Sequence, residues 1–96
     1  MKKIAVIIRN RESEALRMAI GLSILHKIDI YILDKIIGLN NEVSMNIEMT
    51  KELKLGIYTN NPSCYDQIKK INNNIELLKT DDIAKNLLKY DNILPY

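Results

Sequence analysis

A chain of 96 residues, 47% hydrophobic and 27% charged, has the length of one domain and the balance of an ordinary globular protein. Its net charge of +2 is spread over scattered lysines with no arginine stripe, no Trp and no Phe, which argues against nucleic-acid recognition; no run reaches the roughly 20 apolar residues of a bilayer span. One cysteine excludes an internal disulfide framework and suits a reducing compartment, so a cytoplasmic location is expected.

Met1-Lys2-Lys3 followed by Ile4 to Ile8 has the look of a signal peptide, but the apolar run ends too soon, at Arg9, and no small-residue cleavage site follows. Ile4 to Ile8 instead predicts a central parallel strand buried on both faces. Arg9 to Ser13 is a polar turn. From Glu14 to His26 the period becomes helical, with Ala15, Met18, Ala19, Leu22 and Leu25 on one face and Leu16, Ile20 and Ile24 widening it. Gly21 in its middle suggests a close approach to a strand or partner. Ile28 to Leu33 is a second strand, and the polar Asp29 and Tyr31 alternating through it predict an edge or half-covered position. A loop over Asp34 to Asn41 leads to a helix from about Glu42 to Leu53, where Met45, Met49 and Leu53 fall at i, i+4 and i+8.

Leu55 to Tyr58 reads as a third strand running into a helix start. Asn61 is a good N-cap and Pro62 a good first helical residue, because its missing N–H costs nothing there. The helix extends over Ser63 to Ile71 and sets Cys64, the only cysteine, in its first turn. Backbone N–H groups and the positive end of the helix dipole there favour a thiolate over a thiol. Ile75 to Leu78 is a fourth strand, and Thr80-Asp81-Asp82 opens the last helix with a cap and two dipole-matched acids. The apolar tail Tyr90 to Tyr96 is expected to dock on the domain or on another subunit.

The order β-α-β-α-β-α-β-α predicts an α/β domain over residues 1–96, with about four parallel strands and helices on both faces. With strand order 2-1-3-4, the loops after the first and third strands meet at the switch point where ligands bind. Cys64 is then the candidate catalytic residue. Arg9, Asn10 and Arg11 on one loop, and Asn60, Asn61 and Ser63 on the other, are the candidate anion-stabilising residues. No phosphate-loop glycine motif and no metal-ligand cluster is present, so no cofactor and no metal are expected. His26, at a helix end, reads as a solvated cap.

The strand Lys3 to Arg9, the helix Glu14-Ala15-Leu16-Arg17-Met18-Ala19-Ile20-Gly21-Leu22, the segment Ile30 to Asp34 and the strand-turn Leu55 to Cys64 together resemble the DsrE-like family, which includes the DsrE, DsrF, DsrH and Tus-type subunits of sulfur-relay complexes. The resemblance implies a flavodoxin-like fold, assembly into homo-oligomers or with sister subunits, and in some members a cysteine after a strand that carries a persulfide. Cys64 is the residue that could match it. Tyr65-Asp66-Gln67 stands where small residues and Arg-Gly often follow that cysteine. The acid-started last helix and aromatic chain end look more like the DsrH/TusB-type subunit, which often lacks it. Two functions are therefore expected as alternatives. One is a sulfurtransferase-like carrier that accepts and passes sulfane sulfur on Cys64. The other is a non-catalytic interaction subunit whose partners are proteins, without nucleic acid or membrane.

Overall fold

The computed structural model describes residues 1–35 and 37–96; Ile36, inside the loop expected over Asp34 to Asn41, lies outside them. The elements are β1 (Lys3–Ile8), α1 (Glu12–Leu22), β2 (Lys27–Ile32), α2 (Asn41–Glu52), β3 (Gly56–Thr59), α3 (Pro62–Lys69), β4 (Glu76–Leu77), α4 (Thr80–Leu87) and β5 (Asn92–Pro95). All strand pairs are parallel, in the order β4-β3-β2-β1-β5. The α/β class, the parallel sheet and the helices on both faces are as expected from the sequence.

The handedness of the crossovers explains the layering. The first three steps all move one strand in the same direction, so right-handed connections set α1, α2 and α3 on one face. The step from β4 to β5 returns across the whole sheet, and the same rule sets α4 on the other face. Two buried clusters follow. The larger joins Ile4, Val6, Ile8, Ile28, Ile30, Ile32 and Ile57 of the sheet to Leu16, Ile47 and Ile68 of the three helices. The smaller joins Ala5, Ile7 and Tyr31 to Ile83 of α4, with Leu87 and Tyr90 against it. Side chains alternate across each strand, so β1 and β2 supply both clusters.

Several expectations are corrected. The sheet has five strands, because the tail forms β5 along β1, pairing Ile4 with Asn92 and Ile7 with Pro95. Pro95 is tolerated there because β5 is an edge strand. The order 2-1-3-4 is replaced, because β2 lies between β1 and β3. β2 is thus a central strand, not an edge. Helix α1 stops at Leu22, where the Ser23 hydroxyl donates to the Ile20 carbonyl, and Ile24 and Leu25 are left exposed in the turn that follows. A Cβ at Gly21 would meet nothing, so no close approach requires glycine there.

The polar residues of β2 are buried by partners that come from far along the chain. Tyr90, just after α4, donates its hydroxyl to Asp29 at 2.6 Å and lies 2.8 Å from the Tyr31 hydroxyl. With the Tyr90 proton committed to the carboxylate, Tyr31 donates to Tyr90. Tyr31 stacks on Tyr58 of β3 at 4.8 Å between ring centres. Burial, and then the charge of Asp29, push the Tyr58 hydroxyl up to about 12. Burial is also the first cause that raises Tyr31 and Tyr90. Unfolded tyrosines ionise near 10, so above that pH the folded chain keeps protons that the unfolded chain releases. The stabilisation is complete below about pH 10 and is lost as pH rises through about 12. A tyrosinate absorbance titration is expected to run at higher pH for the native chain than for the chain in denaturant; coincident curves would contradict this packing.

Candidate functional site

At the carboxyl edge of the sheet, the loops after β1, β2 and β3 and the start of α4 each contribute a polar side chain. Asp34, which follows β2 with a positive φ of 60°, is central. Its backbone N–H donates to the Asn60 Oδ1 at 2.9 Å, and the Asn60 amide donates back to the Asp34 carboxylate at 2.9 Å and to the Thr80 hydroxyl at 3.1 Å. Asn residues commonly brace turns in this way. Arg9 reaches Asp34 from the other side at 3.9 Å. Both side chains are mostly exposed, so this ion pair contributes less than about 1 kcal/mol. The Arg9 and Asn60 loops are thus joined, but through Asp34, with one strand between them.

Asn10 and Arg11 turn towards the chain end. The N–H groups of Arg9 and Asn10 both donate to the Tyr96 carbonyl, at 3.2 and 3.0 Å. Arg11 takes left-handed backbone geometry at the start of α1, pairs with Glu14 at 3.7 Å, and lies over the Tyr96 ring at 5.4 Å. Neither arginine is among the groups acting on Cys64. Beside Tyr96, an apolar groove of about 570 Å³ opens along α1, lined by Met18, Gly21 and Leu22.

The start of α3 forms as the sequence predicts. Asn61 is its N-cap, accepting from the Cys64 N–H at 3.0 Å, and Pro62 opens the helix. Ser63 is exposed, whereas Cys64 on the inner side of the same turn is fully buried. Three effects favour its thiolate: a hydrogen bond with Thr59, one with the backbone of Ile37, and the charge of Lys35. Burial is the largest effect and wins, pushing the thiol up from its ordinary value. The expected activated thiolate is corrected accordingly: a helix start lowers a thiol's pKa only while the sulfur keeps some contact with water.

Lys35 itself is engaged. Its ammonium donates to the Glu12 carboxylate, and this bond is the main cause that holds Glu12 below the usual carboxylate range. The Gln67 amide donates to the Ile37 carbonyl at 2.6 Å, which ties the segment above Cys64 to α3. Asp34 and the Glu12–Lys35 pair carry no site expectation from sequence; Thr80, expected as the cap of the last helix, is instead the first residue of α4 behind Lys79, and its hydroxyl accepts from Asn60. An acid just past a buried strand was the available signal for Asp34. No group of three metal-ligating side chains occurs among the described residues, and none of the described helices is long and apolar enough to cross a membrane.

The arrangement defines a class first: a single parallel α/β domain of flavodoxin-like layering, with its loop cluster at the carboxyl edge. Within that class the chain is similar to the crystal structure of the YchN protein from E. coli, with a TM-score of 0.72 and 17% identity over 100% of both chains. That protein has a DsrE/DsrF-like fold, so the likeness supports the fold expected from the sequence resemblance. No protein-family model matches the sequence, and no curated protein matches it.

Proposed function

We infer that this chain is an interaction subunit of a sulfur-relay type assembly, of the DsrH/TusB-like kind, and not the subunit that carries the sulfur. The observation that carries this reading is the complete burial of Cys64. A carrier's sulfur must meet a donor persulfide and an acceptor thiol, and it must do so as thiolate. Here the sulfur faces the core, and burial keeps it protonated.

The surface supports the assembly half of the reading. On α2, Val43, Ile47 and Thr50 face inward, while Met45 and Met49, 68% and 46% exposed, continue with Leu53 along the outer side. Three large apolar side chains at helical spacing form a continuous stripe, which suits a protein contact. Methionine adapts its shape to a partner surface better than branched residues do. Strand β5 adds an edge with unpaired backbone groups and the exposed Ile93.

Light scattering at micromolar concentration is expected to give a multiple of 11.1 kDa. Met45→Glu/Met49→Glu is expected to shift the mass to the single chain without loss of fold, since both residues are exposed. A wild-type monomer across that range would contradict the reading.

A further inference from the structure

At the opposite edge of the sheet, where the strands begin, a polar cavity of about 390 Å³ lies between the sheet and the end of α4. Lys3, Lys27, Lys54 and Lys89 converge on it, and Asp29 is the carboxylate on its wall. The parallel register builds this convergence. Lys3 pairs with Lys27 across β1 and β2, and Asp29 pairs with Gly56 across β2 and β3. Lys54, in the left-handed turn just before β3 (φ 57°), brings a third lysine to the same cavity. Like charges facing one another across strands repel.

The described acids nearby offset this positive charge only in part. None of the four lysines is ion-paired. Asp29 already accepts the Tyr90 hydroxyl. Asp91, next to Tyr90 in the chain, accepts the backbone N–H of Lys3 at 2.7 Å. Asp29 is the one carboxylate among the lining residues, against four lysines. Other donors face the same space. The Tyr58 hydroxyl makes no hydrogen bond to another described residue, and the Asn86 amide lines the wall. The Lys3 ammonium is held 4.8 Å above the Tyr90 ring.

We propose that this cavity binds a compact phosphate-type dianion, either free phosphate or a small phosphate monoester, with Lys27 and Lys54 as its principal contacts and Lys3 and Lys89 closing over it. A doubly negative group relieves the repulsion among the converging lysines and accepts from the Tyr58 and Asn86 donors. The volume leaves room for the organic part of a small ester. The site lies at the opposite edge of the sheet from the Cys64 turn, and only Lys54, which follows Leu53, adjoins the α2 stripe.

Thermal unfolding of the full chain in inorganic phosphate, against chloride at equal ionic strength, tests this. Phosphate at about ten times its dissociation constant is expected to raise Tm by about 5 °C or more. Lys27→Ala/Lys54→Ala is expected to lose that rise while remaining at least as stable as wild type in chloride, because removing two like charges relieves repulsion. A larger rise with glycerol phosphate than with inorganic phosphate assigns an ester, and equal rises assign the free anion. An equal rise in chloride, or a phosphate rise kept by the double variant, overturns the proposal.

Discussion

Gly56→Val is expected to destabilise the protein by about 3 kcal/mol or more, a large share of the total for a domain of this size. A Cβ at Gly56 would lie 2.2 Å from Asp29 Oδ1, 2.9 Å from its Cγ and 3.0 Å from the Tyr58 ring. Asp29 cannot swing away cheaply, because its other oxygen accepts the Tyr90 hydroxyl and the residue is buried. Making room means breaking that charge-assisted bond or moving two central strands apart. The bond accounts for about 1.5–3 kcal/mol and strand separation for overpacking strain of similar size. Denaturant unfolding measures the loss. Asp29→Ala removes the obstacle, so the double variant is expected to lose clearly less than the two single losses combined. A cost below about 1 kcal/mol for Gly56→Val would show that Asp29 is not held where it is described.

Asn72→Leu is expected to cost about 3 kcal/mol, although it puts an apolar residue in a fully buried place. Asn72 stands in the turn between α3 and β4. Its amide donates to the Thr50 hydroxyl on α2 at 3.1 Å, and its carbonyl oxygen accepts the Asn74 N–H at 3.0 Å. The Thr50 hydroxyl in turn donates to the Ile47 carbonyl at 2.6 Å. The network thus couples α2 to the chain reversal after α3, two segments that share no strand. Thr50→Val is expected to cost about 1–2 kcal/mol, because it leaves the Asn72 amide unpaired in the core. The double variant is expected to be less destabilised than the sum of the two single losses. Strict additivity in denaturant melts would contradict a shared network.

Local signals in the sequence translated well into structure. Asn61-Pro62 marked the start of α3 because capping is decided by neighbours along the chain. Helix α2 formed despite the strict alternation of Val43, Met45, Ile47 and Met49, since Val43 and Ile47 share its inner face at i and i+4. Non-local features were hidden. Asp29 and Tyr31 looked like the open face of an edge strand, because nothing nearby in sequence announces Tyr90 as their cover. The apolar character of Tyr90 to Tyr96 announces docking on the domain, but nothing local announces that Asn92–Pro95 docks as a fifth strand along β1. Strand order followed the same fault. It placed β1 beside β3, and hence Arg9 beside Cys64, whereas β2 and Asp34 lie between. The turn that holds Cys64 was legible, but its burial was not. Burial depends on the segment at Ile37, which Gln67 ties down from another element.

Cys64 is proposed not to carry sulfur. Incubating the native chain with a sulfane-sulfur donor and weighing the intact protein tests this most directly, with the chain in denaturant as the reactive reference. No added sulfur is expected on the native chain beyond a slow reaction, about 100-fold or more below the unfolded rate, because the buried thiol reacts only through opening. Prompt addition of one sulfur atom to native Cys64, lost in Cys64→Ser, would overturn the interaction-subunit reading and make this chain a carrier.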